Sequence, residues 1–165
     1  MIRAILAVTD DNVMGVVGEL PWEHNKIDMS WFVHNTRGDT VVMGSKTWDS
    51  SMPTPLPNRQ NIVMTTKPLD TKFAGADIAR SLNDLEYLIQ QCERDVWIIG
   101  GANVIKQCAH LIEEYYVTQF HGKLEDYRHE SEDVVTLPLD YLLVDFERTF
   151  VREHQDLSFE IWKRV

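Results

Sequence analysis

Asp28 is the residue whose surroundings ask most of this chain. On a helix, positions 28, 31, 32 and 35 share one face, which sets the carboxylate beside Trp31 and Phe32. An acid on an apolar face is costly unless it is paired or protonated. Burial raises a carboxyl pKa, and a carboxyl so tuned can exchange a proton or bind a protonated ring. A plainer role is equally open, because an acid in the first turn of a helix also faces the positive end of the helix dipole. Two strand–glycine–helix junctions come next. In Val41-Val42-Met43-Gly44-Ser45-Lys46-Thr47 a helix start offers free amides, a hydroxyl and a cation. In Ile98-Ile99-Gly100-Gly101-Ala102-Asn103 two glycines let backbone approach a ligand closely. Both corners could receive phosphate through unpaired N–H groups, and two of them suit the two ends of a dinucleotide. Neither matches the Gly-x-Gly-x-x-Gly fingerprint or a P-loop, so glycines that merely make tight turns remain the alternative.

Other candidates carry less. His24, His34, His110, His121, His129 and His154 show no metal-ligand spacing, and no metal site is expected. There is no Gly-x-Ser-x-Gly, and Ser50-Ser51 has no partner base. Residues Glu125–Asp133 read as a solvated acidic loop. The two cysteines, Cys92 and Cys108, read as reduced apolar fillers.

Composition narrows the class. The 165 residues suit a single domain, 1–165, with a sizeable core. No apolar run reaches the ~18–20 residues of a membrane span, and the short apolar start at Met1 reads as a strand, not a signal peptide. A cytoplasmic monomer is expected. The net charge of −10 and the lack of a basic stripe argue against nucleic acid as a partner. The charge is uneven, however. From Thr36 to Lys72 there are five bases (Arg37, Lys46, Arg59, Lys67, Lys72) and three acids (Asp39, Asp49, Asp70), so that window carries +2 and the remainder −12. An anionic ligand would settle there.

These residues need elements to hold them. Ile2–Val8 predicts a buried strand, Thr9–Pro21 a loop loosened by Gly15 and Gly18, and Lys26–Thr36 a helix. Thr40–Met43 is a β-branched strand ended by Gly44, and Lys46–Ser50 one or two helical turns. Met52–Pro57 is too rich in proline for a helix or a central strand. Asn61–Thr66 predicts a strand; Ser81 and Asp84 cap a helix Leu82–Cys92. Val96–Ile99 is a strand before the double glycine, followed by a helix to about Ala109, and Tyr115–Phe120 is another strand. Tyr141–Val151 and Leu157–Arg164 predict a terminal antiparallel pair. The pattern is α/β: a central, mostly parallel mixed sheet flanked by helices, with an antiparallel C-terminal edge hairpin. Ligands of such sheets sit beyond the carboxyl ends of the strands, where Gly44 and Gly100 fall.

In this order the motifs resemble the dihydrofolate reductase family. Ile5-Leu6-Ala7-Val8 looks like its first strand, and Gly15 through Leu20-Pro21-Trp22 like its active-site loop. Asp28-Met29-Ser30-Trp31-Phe32 looks like its acid-bearing helix, and Gly44-Ser45-Lys46-Thr47-Trp48 like its cofactor corner. Pro55-Leu56-Pro57-Asn58-Arg59 looks like its folate-tail segment, and Ile98-Ile99-Gly100-Gly101-Ala102 like its double-glycine turn. Tyr116-Val117-Thr118 and Phe159-Glu160-Ile161-Trp162 also fit, more loosely at the end.

The resemblance implies reduction of 7,8-dihydrofolate to 5,6,7,8-tetrahydrofolate by hydride from NADPH, a step of one-carbon metabolism. Asp28 would bond the pterin N3 and 2-amino group and promote protonation at N5, with Trp22 and Thr118 orienting it. Ile5, Ala7, Met29, Phe32, Met52, Leu56 and Ile99 would line the substrate pocket, and Arg59 would pair with the tail carboxylate. The nicotinamide would lie near Ala7, Met14, Gly15, Gly18 and Leu20. Gly44, Ser45, Lys46 and Thr47, Thr65, Thr66 and Lys67, and the turn Gly100, Gly101, Ala102, Asn103 and Val104 would hold the rest of the cofactor. Residues 38–88 would form an adenosine-binding subdomain. A cis Gly100–Gly101 peptide is also implied. Ser45 and Asn103 stand where many relatives carry bases near the 2′-phosphate; Lys46, Thr66 and Lys67 could compensate, so NADPH is expected over NADH. Ile105 replaces an aromatic, and 122–137 lacks the family's Gly-Asp…Phe-Pro pattern, although Asp126 could take the acidic position. Two other readings remain: a reductase of similar fold acting on a pyrimidine intermediate of riboflavin synthesis, and a binding protein that keeps the fold.

Overall fold

Strands β1 (Ile2–Val8), β3 (Thr40–Gly44) and β6 (Val96–Gly100) are apolar apart from Arg3 and Thr40 near their starts, as befits strands covered on both faces. The computed structural model, which describes residues 1–16, 25–50, 52–68, 71–127 and 134–165, puts them side by side in the middle of a sheet. The other strands are β2 (Val13–Val16), β4 (Gln60–Met64), β5 (Ala76–Ala79), β7 (Glu114–Phe120), β8 (Val134–Thr136), β9 (Phe146–Glu153) and β10 (Leu157–Arg164). The eight-stranded sheet runs β5-β4-β3-β6-β1-β7-β10-β9. Neighbours from β5 to β7 are parallel; β10 pairs antiparallel with β7 and β9. The helices are α1 (Lys26–Thr36), α2 (Ser45–Trp48), α3 (Leu82–Gln90), α4 (Ala102–Cys108), α5 (Leu124–Tyr127) and α6 (Leu139–Leu142).

Period-two alternation sorts the strand side chains onto two faces. Ala4, Leu6, Val42, Ile62 and Ile98 pack with Leu85 of α3 and Val104 and Ile105 of α4. Ile5, Val41, Met43, Val63 and Trp97 pack on the other face, where Trp31 and Phe32 of α1 cover them. Local chemistry fixes the helix starts. Asn25 caps α1 by accepting the Asp28 amide at 3.0 Å. Ser81 accepts the Asp84 amide at 3.1 Å, while Asp84 accepts the Arg80 amide at 2.9 Å, so the expected cap of α3 is present.

Four expectations need correction. The expected loop Thr9–Pro21 contains β2, which pairs with β8. A four-residue strand whose partner lies over a hundred positions away leaves little local signal. The first strand of the terminal pair begins at Phe146, not Tyr141, because Leu139–Leu142 turn as α6. Leu139 is buried while Tyr141 and Val144 are exposed, so the apolar residues there do not line one sheet face. Edge strand β5 was not expected; its four residues follow Gly75 and alternate only weakly. Asn61–Thr66 is shifted, with β4 ending at Met64.

Candidate active site

Helix α1 runs opposite to the parallel strands, so its first turn meets their carboxyl ends and its last turn their amino ends. Asp28 sits in that first turn, half-buried. Its Oδ1 accepts a 2.8 Å hydrogen bond from the Thr118 hydroxyl of β7, itself buried. Burial pushes the Asp28 carboxyl above the usual carboxylate range, and the Thr118 hydrogen bond works against that shift. No cation pairs with Asp28 among the described residues. The group is therefore a poorly solvated carboxyl with one neutral donor, able to hold or release a proton.

The wall beside it is aromatic and aliphatic. Trp31 stacks on Phe159 of β10 at 4.3 Å between centroids, and lies 5.8 Å from Tyr116 of β7. Its indole N–H is buried with no hydrogen-bond partner among the described residues. Trp31 and Phe32 are only half-buried, short of the full burial their sequence pattern suggests. Ile5, Phe32, Met52, Leu56 and Ile99, all expected pocket residues, belong to one apolar cluster. Ala7 faces the neighbouring cluster around Phe159 and pairs with Thr118 across the sheet. Met29 stands apart from both and is exposed. Gly18, Leu20 and Trp22 lie outside the described residues, as do 128–133 of the expected acidic loop; its start, Leu124–Tyr127, is the helical turn α5.

The two glycine corners touch each other. Gly44 ends β3, and a Cβ there would stand 3.1 Å from Val104 Cγ2. Gly100 ends β6 with φ +131, a conformation that favours glycine, and its added Cβ would lie 3.6 Å from Thr47 Oγ1. The Gly100–Gly101 peptide is cis, as the family resemblance implies. Gly101 differs: its φ is an ordinary −79, and a Cβ would meet nothing within 4 Å. No packed neighbour beyond the adjoining residues calls for glycine there. What its bare backbone leaves is an open cradle at the start of α4, and a dinucleotide laid across both corners would fit it. Ser45, Lys46 and Thr47 open α2 beside this cradle, Asn103 is exposed on α4, and Ala102 is buried. Met14 packs from β2 against the core of the α3–α4 face, and Gly15 pairs in β2 with Val135 of β8.

The Thr65–Lys67 turn follows β4, with the Thr65 hydroxyl accepting the Lys67 amide at 3.1 Å and Thr66 exposed. Sequence reasoning missed Arg80 here. Its guanidinium donates to the Thr65 and Lys67 carbonyls, bringing a second cation to this turn. The available signal was a base one residue beyond β5, just before a helix cap, on a strand that itself escaped notice.

Arg59 lies at the far end of α1, just before β4. Its Nε donates to Thr36 Oγ1 at 2.8 Å and its Nη1 to the Pro57 carbonyl at 2.6 Å, and the guanidinium stands 5.8 Å over the Phe32 ring. From Asp28 to Thr36 the helix rises about 12 Å. An acid and a guanidinium thus bracket one apolar wall. A cavity of about 650 Å³ lies elsewhere, at the amino ends of β3 and β4, lined by Gly38–Thr40, Asn58–Gln60 and Gln91–Arg94. It holds neither Asp28 nor a glycine corner.

Comparison with known proteins agrees with this arrangement. The family model described as dihydrofolate reductase matches residues 1–131. The dihydrofolate reductase of Bacillus subtilis (strain 168) is 35% identical over 132 residues, 80% of this chain and 76% of that protein. That of Haemophilus influenzae is 32% identical over 121 residues, covering 73% and 72%. A solved Enterococcus faecalis dihydrofolate reductase, complexed with NADP(H) and RAB-propyl, superposes with a TM-score of 0.82 at 24% identity, covering 99% of this chain and 96% of that one. The last likeness speaks for the fold.

Proposed function

The chain belongs to the dihydrofolate reductase family, and from that premise we propose that it reduces 7,8-dihydrofolate to 5,6,7,8-tetrahydrofolate with NADPH, with Asp28 serving the proton transfer. The carrying observation is the desolvated Asp28 carboxyl, held by Thr118 at 2.8 Å beside the apolar wall of Ile5, Phe32 and Ile99.

NADPH, when bound, supplies the hydride. The chain's part is to bind, orient and handle one proton. Asp28 accepts hydrogen bonds from the pterin N3 and 2-amino group and so orients the ring. The negative charge of ionised Asp28 favours a proton at N5 of the bound ring, making C6 the better hydride acceptor. Ile5, Ala7, Met29, Phe32, Met52, Leu56 and Ile99 exclude water from the ring and the benzoyl group. Arg59 pairs with the α-carboxylate of the glutamate tail through the guanidinium edge that Thr36 and Pro57 leave free. Trp22 and Thr118 orient Asp28.

Gly44–Thr47 and Gly100–Val104 hold the pyrophosphate side of NADPH; Met14, Gly15, Gly18 and Leu20, with Ala7, flank the nicotinamide. Residues 38–88 hold the adenosine half, where Thr65, Thr66, Lys67 and Arg80 receive the 2′-phosphate. Arg80 and Lys67 thereby take over from the bases missing at Ser45 and Asn103. The protein works as a cytoplasmic monomer without a nucleic-acid partner; no described helix is long and apolar enough to cross a membrane.

The test is loss of NADPH absorbance that requires dihydrofolate, run beside Asp28→Asn. General acid–base groups contribute about 10²–10⁴-fold, so kcat/KM at neutral pH should fall by about that much while the NADPH Kd stays within about two-fold. The loss should narrow on acidification, as solvent supplies the proton. Equal turnover by mutant and parent would remove Asp28 from the mechanism. Absence of NADPH oxidation by the parent would remove the activity itself.

A further inference from the structure

Helices α1 and α3 open on the same arrangement. Each has a polar cap residue with an acid three positions on, Asn25 with Asp28 and Ser81 with Asp84. In each, the cap side chain accepts the amide of that acid, at 3.0 Å in α1 and 3.1 Å in α3. The two acids then part ways. Asp84 turns back to its own helix start and accepts the Arg80 amide at 2.9 Å, much as the acid of a capping box does. Asp28 turns away. Its carboxyl accepts from Thr118 of β7, 90 positions on, and from no first-turn amide among the described residues. Unpaired N–H groups and the positive end of the dipole ordinarily hold an acid at a helix start. In α1 the Asn25 side chain has taken the Asp28 amide in its place, and the Asn25 carbonyl accepts the Met29 amide at 2.9 Å.

We propose that Asn25 is a positioning residue for the reaction: by capping α1 it frees the Asp28 carboxyl from its own helix start, so that Thr118 and the substrate ring can take it. This rests on the reading that Asp28 serves the proton transfer. Without the Asn25 side chain the Asp28 amide loses its acceptor. The nearest replacement is the Asp28 carboxylate itself, swung back over the first turn as Asp84 is in α3. There it would leave Thr118 and the apolar wall, and the helix-start N–H groups would favour its charged form. In its present place, burial and the opposing Thr118 hydroxyl govern the carboxyl, and no charged side chain of the described residues acts on it; Lys26 of the same turn is exposed. Where the side chain points therefore decides how readily it holds a proton.

The test is the pH profile of kcat/KM for dihydrofolate in three variants. Asn25→Ala removes the cap, Asn25→Ser keeps a capping oxygen, and Asn25→Gly removes the oxygen at little cost to the helix. Loss of a cap corresponds to about two- to thirty-fold in the local equilibrium. In Asn25→Ala kcat/KM at neutral pH should fall by about that factor, and the midpoint of the profile should move to lower pH. Asn25→Ser should restore both. Asn25→Gly should show the downward midpoint shift with a urea midpoint close to the parent's, which separates positioning from stability. A fall in the urea midpoint of Asn25→Ala, with kcat/KM and the pH midpoint unchanged in all three variants, would overturn the proposal. So would an upward pH shift, since the carboxyl would then have stayed against its wall. Asp28→Asn separates the two readings. Equal turnover there removes the role of Asp28 and that of Asn25 together. If Asp28→Asn loses turnover and the Asn25 variants match the parent, only the role of Asn25 is lost.

Discussion

At the residue scale the proposed chemistry turns on how poorly Asp28 is solvated and on the hydroxyl of Thr118 that compensates it. Burial raises its folded-state pKa above the unfolded value of about 3.9. A raised carboxyl pKa means that the protonated form favours the fold. That contribution is full below the unfolded pKa and is lost as pH rises through the folded one. At neutral pH the ionised group is therefore a burden on stability, and Asp28→Asn, which cannot ionise, should be more stable than the parent. Its urea midpoint should exceed the parent's at pH 8, and the gap should shrink toward pH 4. A gap that widens on acidification would mean that the carboxylate is well compensated after all. Thr118→Val acts on the same balance from the other side. It deletes the one hydrogen bond that favours the charged form, so the carboxyl should titrate at higher pH. The midpoint of the kcat/KM–pH profile should move upward, at a stability cost of about 1 kcal/mol.

At the element scale, the two glycine corners look alike in sequence and differ in structure. Gly44→Ala would place its Cβ 3.1 Å from Val104 Cγ2; a tight contact of that kind costs about 1 kcal/mol or more in a well-packed core. Gly101→Ala meets no protein atom within 4 Å beyond its chain neighbours, at an ordinary φ. Its thermal midpoint should stay within about two degrees of the parent, while the Kd for NADPH, read by titration of tryptophan fluorescence, rises ten-fold or more. A large loss of stability with unchanged NADPH affinity would show that the glycine serves the fold alone. The contrast marks what the sequence could disclose. Strands β1, β3 and β6, with helix α1, were legible because long apolar runs and an uninterrupted helical segment are local signals. The cap of α3 was legible because Ser81 and Asp84 carry it within three residues. Strands β2 and β5 were not, since each spans four residues and is held by a remote neighbour. The same reason hid Arg80, whose partners at Thr65 and Lys67 are joined to it only by the β4–β5 pairing. The carboxyl of Asp28 could be placed on an apolar face from spacing, but its bond to Thr118, 90 positions away, belongs to the sheet.

At the scale of the whole molecule, an acidic protein must bind two anions. Outside Thr36–Lys72 the chain carries −12, and that window carries +2. Lys46 and Lys67 are exposed and unpaired among the described residues, and Arg80 lies against the Lys67 turn from outside the window. Long-range repulsion therefore opposes both NADPH and NADH, while under the proposed placement short-range attraction at the Thr65–Lys67 turn favours whichever bears a 2′-phosphate. Salt separates these contributions. Screening shortens the reach of charge to about 10 Å at 0.1 M and about 3 Å at 1 M. It weakens the general repulsion for both nucleotides, a change that largely cancels in the ratio of their kcat/KM values. What does not cancel, on the proposed placement, is the pull of Lys67 and Arg80 on the extra phosphate. Each exposed pair is worth up to about 1 kcal/mol, or about five-fold. The preference for NADPH should therefore fall several-fold between 0.02 and 0.5 M salt. In Arg80→Gln the preference should start lower, and its salt dependence should be shallower. A preference that is large and indifferent to salt would place the discrimination in shape, away from these two cations, and would leave the Ser45 and Asn103 substitutions without a compensating charge.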